Sequence, residues 1–90
     1  MKIIYTKHAK DKFLDEKFVP QLKIAKSLIK KCLNNPDFLG KQNGKLIAIG
    51  AIDSEHSLVV IYKKIKGLIR VITFWPAKKG RYEAKILQRR

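Results

Sequence analysis

The spacing of apolar and polar positions predicts that the chain begins with a short strand and continues into a helix. Residues 2–5 (Lys-Ile-Ile-Tyr) are rich in side chains that favour β-structure. Thr6 follows at the position of a helix N-cap, where its hydroxyl can accept a hydrogen bond from a backbone N–H of the first turn. A first helix is therefore predicted from Lys7 to about Glu16.

A second helix is predicted from Pro20 or Gln21 to about Leu33. Apolar residues recur there with the helical period, and lysines lie mostly on the opposite side. Pro20 suits a first helical turn, where its missing N–H breaks no hydrogen bond. The sequence Asn34-Asn35-Pro36 ends the helix, because Asn tolerates the left-handed conformation and Pro prevents continuation.

The remainder of the chain has the pattern of β-structure. Strands are predicted at residues 45–52, 58–62 and 68–75, joined by short turns, with a loop at 76–80 and a short helix at 81–88. The predicted fold class is therefore α+β, in the order β-α-α-β-β-β. Two N-terminal helices would pack on one face of a twisted antiparallel sheet, followed by a basic C-terminal segment.

Length and composition narrow the class of protein. Ninety residues allow a single domain spanning 1–90, and 46% hydrophobic residues are enough for a core. No apolar run approaches the roughly 18–20 residues that a membrane span needs, and the N-terminus lacks the apolar stretch of a secretory signal. One cysteine, Cys32, excludes an internal disulfide. A soluble cytoplasmic protein is expected.

The net charge of +14 is concentrated in the last third of the sequence. Residues 63–90 hold ten Lys and Arg and one Glu, for a net +9, whereas residues 35–62 carry a net −1. Such an asymmetry indicates a polyanionic partner, which could be nucleic acid, an anionic membrane surface or an acidic protein. A compositional bias towards Lys is the alternative interpretation.

Side chains suited to chemistry are few. His8, His56 and Cys32 do not have metal-ligand spacing, and neither a glycine-rich phosphate loop nor a catalytic carboxylate pair is recognisable, so no metal or cofactor is expected. A basic segment with interleaved aromatic residues such as Trp75 and Tyr82 remains, and it predicts binding to phosphates and unpaired bases. Its nucleic-acid-binding cations are Arg70, Lys78, Lys79, Lys85, Arg89 and Arg90.

Several short motifs occur in a fixed order along the chain. They are the opening with Thr6-Lys7-His8-Ala9, the Asn35-Pro36-Asp37 at the helix end, the strands Leu58-Val-Val-Ile-Tyr62 and Val71-Ile-Thr-Phe74, and the basic stretch from Arg81. Together they resemble BrnT-like proteins of the RelE/ParE toxin superfamily. The chain departs from the family pattern by carrying Lys12 in place of Arg and by a tail with fewer arginines.

The resemblance implies a small prokaryotic toxin with two N-terminal helices on an antiparallel sheet. Members often pair with an antitoxin, and many cleave mRNA, whereas ParE-type members act on gyrase instead. By position, the resemblance places His8 in the family's histidine motif, Thr73 in its central strand, and Arg81 and Tyr82 in its basic C-terminal segment.

The leading hypothesis is a metal-independent endoribonuclease of a toxin–antitoxin system, acting on mRNA that is free or bound to the ribosome. His8 or Tyr82 would transfer the proton, and Arg81 or Arg89 would stabilise the charged phosphate. Thr73 and Trp75 would join the cations that hold RNA. The alternatives are a non-catalytic RNA- or DNA-binding module, and a subunit whose basic face docks an acidic antitoxin. The sequence leaves the oligomeric state open.

Overall fold

A computed structural model describes residues 2–13 and 26–78, which form one five-stranded sheet and two short helices. The strands are β1 (Lys2–Tyr5), β2 (Phe38–Gln42), β3 (Lys45–Ala51), β4 (His56–Ile65) and β5 (Leu68–Lys78). The helices are α1 (Lys7–Lys12) and α2 (Lys26–Asn34).

The predicted β-α-α-β-β-β fold is wrong, because the described chain is mostly sheet and its helices are short. Strand β2 is not predicted from the sequence, because Gly40 and the polar residues after it favour a turn. They pair with β3 instead, and pairing overrides weak local preference. The sheet is also mixed, because β1 lies parallel to β5.

Most predicted strand positions are confirmed, but several strands are longer than expected. Strand β4 includes His56 and extends to Ile65, and β5 includes Pro76 through Lys78, which the prediction assigned to a loop. The predicted end of the first helix, the start of the second and the helix at 81–88 lie outside the described residues.

Two tight hairpins set the register of the sheet, whose strand order is β1-β5-β4-β3-β2. Asn43 and Gly44 connect β2 to β3 with φ of 52° and 76°, and Lys66 and Gly67 connect β4 to β5 with φ of 36° and 83°. Positive φ at both central residues is the geometry of a type I′ turn, whose twist matches that of the strands.

The helices pack on one side of the sheet, which we call the helix face. Ala9 of α1, and Ile29 and Cys32 of α2, are buried there against the apolar side chains Leu58, Val60, Val71 and Phe74. The predicted N-cap is confirmed, since Thr6 Oγ1 accepts a hydrogen bond from Ala9 N at 3.2 Å. The same hydroxyl donates to Ile72 O at 2.8 Å, which fixes α1 to β5.

The opposite side, which we call the second face, has its own apolar cluster. Ile47, Ile49, Val59 and Ile61 are buried, and Phe38, Ile72, Trp75 and Ala77 pack against them. Burial on both sides explains why β4 is a continuous hydrophobic run rather than an alternating one. It also separates neighbouring aromatics, because Phe74 faces the helices and Trp75 belongs to the second face.

Candidate nucleic-acid interface

The topology collects positive charge at one end of the sheet. Both tight hairpins and the start of β1 lie at this end, according to the register of the strand pairs. We call the following side chains the basic end: Lys2, Lys41, Lys45, Lys63, Lys64, Lys66 and Arg70. The four acids in the described ranges lie elsewhere, in α1, before β2 and in the β3–β4 turn; they are Asp11, Asp37, Asp53 and Glu55.

Three of these cations form a row across the second face. Lys63 pairs directly with Arg70, and the neighbouring pair of Leu46 with Tyr62 places Lys45 across from Lys63. All three residues are exposed. Because adjacent strands are about 4.8 Å apart, the row spans roughly 10 Å over three strands.

This row is electrostatically unfavourable in the isolated protein. Like charges directly opposite each other on neighbouring strands destabilise a sheet. Among the described residues, Lys45, Lys63 and Arg70 make no ion pair that would offset the repulsion. A bound polyanion would relieve it, so the arrangement is suited to holding a line of phosphate groups.

Three of the predicted nucleic-acid-binding residues share the second face. Arg70 lies in the row, Thr73 pairs with Ile61, and Trp75 pairs with Val59 further along the sheet. The Lys12 ammonium lies 5.8 Å from the centre of the Trp75 ring, within cation–π range. Trp75 is half-buried in the apolar cluster, so only part of its surface can meet a base.

The structure does not place the other predicted site residues beside Arg70, Thr73 and Trp75. Lys78 lies at the far end of β5, opposite His56. His8 is exposed on α1, which packs on the helix face. Six further residues lie outside the described ranges, and their assignment stays a prediction: the catalytic candidates Arg81 and Tyr82, and the binding candidates Lys79, Lys85, Arg89 and Arg90.

Sequence reasoning missed most of the basic end. Lys45 falls in a segment with net −1, and Lys63 falls in a predicted turn, so the sequence does not indicate that either belongs to a site. The signal that could have found them is the Asn43-Gly44 dipeptide, which predicts a two-residue hairpin and fixes the register of its strands.

A second polar group lies at the other end of the sheet, in the β3–β4 turn. Asp53 Oδ1 accepts hydrogen bonds from the backbone N–H of Glu55 at 2.8 Å and of His56 at 2.7 Å. His56 Nδ1 lies 3.1 Å from the same oxygen and 3.2 Å from Oδ2. The N–H of Glu55, together with the His56 bonds, holds the pKa of the Asp53 carboxyl below its usual range.

The buried thiol of Cys32 is not suited to catalysis. Burial, followed by the nearby charge of Asp37, raises the pKa of Cys32 to about 12, so the reactive thiolate is scarce. Within the described residues, no group of three His, Cys, Asp or Glu side chains is placed to hold a metal ion. Neither described helix is long and apolar enough to cross a membrane.

Comparison with known proteins gives no further assignment. No family model, no curated protein and no solved structure matches the chain. The resemblance to BrnT-like and RelE/ParE toxins therefore stays a prediction from short motifs.

Proposed function

We propose that the protein binds the phosphate backbone of single-stranded RNA through its basic end. The single observation that carries this proposal is the row of Lys45, Lys63 and Arg70 across three adjacent strands. Fixed cations at strand spacing present a linear positive surface, which suits a flexible chain of phosphates. Lys41, Lys64 and Lys66 extend this surface around the hairpin tips.

The second face supports RNA more than the other polyanions considered. Thr73 and the exposed part of Trp75 follow the row along the same face. A hydroxyl and an aromatic edge beside a phosphate-binding row can contact sugars and bases, as sheet-based RNA-binding domains do. Single-stranded RNA can use both features, because its phosphates can bind the row while an unpaired base contacts the exposed part of Trp75.

Catalysis is a second candidate function. The resemblance to toxins supports a metal-independent endoribonuclease, with an acidic antitoxin as partner, and the pair of His56 and Asp53 favours it structurally. A histidine held by a carboxylate is a recurrent acid–base arrangement in proteins. The antitoxin would compete with RNA for the basic end, since both are polyanions.

The proposal of RNA binding is tested by neutralising the row. In the triple variant Lys45→Gln, Lys63→Gln, Arg70→Gln, three phosphate contacts are lost. The slope of log affinity against log salt should become shallower by about 2, at roughly 0.7 per contact for a single strand. Fluorescence anisotropy with a labelled single-stranded RNA measures both affinity and slope.

A matched triple variant controls for net charge. Lys7→Gln, Lys10→Gln, Lys31→Gln removes the same charge from exposed positions on the two helices. We expect it to retain most of the affinity and nearly the full salt slope. Equal losses in the two variants would show that RNA responds to total charge and not to the row. Anionic vesicles and single-stranded DNA of the same sequence serve as competitors, and a preference for either would reject the choice of RNA.

A further inference from the structure

The far end of the sheet contains a groove that the RNA-binding row does not use. It has a volume of about 510 Å³ and lies between the β3–β4 turn and the end of β5. Glu55, His56 and Lys78 contribute its charged or titratable side chains, and Ser54, Pro76 and Ala77 complete the lining. The sequence alone indicates no role for His56, because it lies in the polar turn between two predicted strands.

The turn fixes His56 in one orientation. Asp53 binds both the backbone N–H of His56 and its ring nitrogen Nδ1, so the backbone and the imidazole are held by one carboxylate. A carboxylate accepts hydrogen bonds and does not donate them when ionised, which places the imidazole proton on Nδ1. In the neutral ring, the other nitrogen, Nε2, then carries the lone pair that a general base requires.

A cation lies beside this imidazole. His56 and Lys78 are directly paired across β4 and β5, so their side chains project from the same side of the sheet. Both line the groove. Glu55 is the acidic side chain of the lining, and it limits how much negative charge the groove accepts. An imidazole base next to an ammonium group matches the needs of phosphate-ester cleavage, where a proton leaves and negative charge builds up.

We propose that His56 is the general base of a metal-independent RNA cleavage, with Asp53 as its positioning residue and Lys78 as the cation that meets the phosphate. This inference rests on the proposed RNA binding and assigns the chemistry to a separate groove. His56 Nε2 takes the proton of a ribose 2′-hydroxyl, and the 2′-oxygen forms a bond to the adjacent phosphorus. The bond from phosphorus to the 5′-oxygen breaks, and that oxygen takes a proton from water.

The step leaves a 2′,3′-cyclic phosphate and a 5′-hydroxyl, and the proton on His56 returns to solvent. Lys78 stabilises the charge that develops on the non-bridging phosphate oxygens. A substrate that carries 2′-O-methyl groups has no proton to give, so it should bind and stay intact. No oxidant, reductant or further reactant enters the balance.

The test compares the two histidines of the chain. His56→Gln and His8→Gln are purified in parallel with the unaltered protein, and RNA cleavage is followed in excess chelator together with RNA affinity. We expect His56→Gln to lose at least about 100-fold in cleavage rate, which is the usual contribution of a general base. Its RNA affinity should not change. Loss of cleavage in His8→Gln instead of His56→Gln would overturn the inference.

Positioning by Asp53 is tested with a matched amide substitution. Asp53→Asn should lower the cleavage rate by at least about 10-fold without weakening RNA binding, because the wrong tautomer becomes available. Asp11→Asn makes the same change on an exposed part of α1 and should leave the rate unaltered. Circular dichroism confirms equal fold content in all variants.

The outcomes separate this inference from the proposed function. If the unaltered protein binds RNA and does not cleave it, the role of His56 is refuted while RNA binding stands. If cleavage occurs but stops in chelator, the metal-free step is refuted. If the protein does not bind RNA at low salt, both proposals fail together.

Discussion

Replacement of Lys63, the central cation of the row, should have opposite effects on stability and on RNA binding. Lys63 lies between Lys45 on β3 and Arg70 on β5. At the strand spacing of about 5 Å, two unit charges in water would repel by roughly 0.8 kcal/mol, which is an upper limit because exposed Lys and Arg side chains can move their charges apart. Lys63→Gln removes two such contacts, so it should raise the free energy of unfolding by up to about 1 kcal/mol at low salt, while it weakens RNA binding.

Salt provides the check on this mechanism. Screening shortens the range of exposed charges to about 8 Å at 0.15 M and about 3 Å at 1 M, so the gain in stability should shrink as salt rises. Urea denaturation at low and high salt measures the gain, because urea adds no ions. Lys31→Gln is the matched control: Lys31 lies in the last turn of α2, where a cation complements the helix dipole, so its loss should lower stability slightly.

A decrease in the stability of Lys63→Gln at low salt would refute the repulsive row. A gain that persists unchanged at high salt would also refute it, since the effect would then come from packing or β-propensity. A gain in stability without any loss of RNA affinity would show that the row is repulsive but is not the binding site.

Three further predictions concern the core and the β3–β4 turn. Gly50→Ala would place a Cβ 3.1 Å from Cys32 Sγ. It should therefore lower the free energy of unfolding, measured by urea denaturation, by about 1–3 kcal/mol. The decrease should be smaller in a Cys32→Ala background, where the sulfur is absent. Because burial raises the pKa of Cys32 to about 12, thiol reagents should label it near neutral pH only as fast as the protein unfolds. Fast labelling of the native protein would contradict this. Asp53 has a lowered pKa, so its contribution to stability is present above about pH 4 and is lost as pH falls through the depressed value. Asp53→Asn should abolish this loss of stability at low pH, as measured by urea denaturation at several pH values. If the variant loses stability at low pH just as the unaltered protein does, Asp53 is not the group responsible.

Local signals in the sequence were sufficient for some elements. Thr6 was recognised as an N-cap because a hydroxyl before a helical segment satisfies a free N–H, and the structure confirms it. The strands around Leu58–Tyr62 and Val71–Phe74 were recognised from their β-branched and aromatic residues. In each case the residues that predict the element are the same residues that form it.

Elements that depend on distant partners were not predictable in the same way. Strand β1 lies parallel to β5, more than sixty residues later, and nothing in residues 2–5 indicates that choice. Strand β2 is held by pairing to β3, since Gly40 and Lys41 have little β-propensity of their own.

The candidate site likewise contains some residues that the local sequence predicts and others that only the pairing of strands brings together. Arg70 and Trp75 were predicted from their chemistry and Thr73 from the family resemblance. The register shift opposite Ile61 and Tyr62, which leaves Ile72 as an extra residue in β5, brings all three to one face. Lys45 joins them only through the register of two hairpins, because the sum of charges along the sequence hides it in a segment of net −1. A charge sum locates a basic segment, whereas a surface is formed by residues from several segments.

The most direct measurement of the central claim is an NMR titration of the isotope-labelled protein with a short single-stranded RNA. If the basic end is the interface, the largest amide shifts among the described residues should centre on Lys45, Lys63 and Arg70 and on the two hairpin turns beside them. The shifts should diminish when salt is added, since they report electrostatic contacts. Shifts centred on α1 and α2, with the three row residues unaffected, would contradict the account.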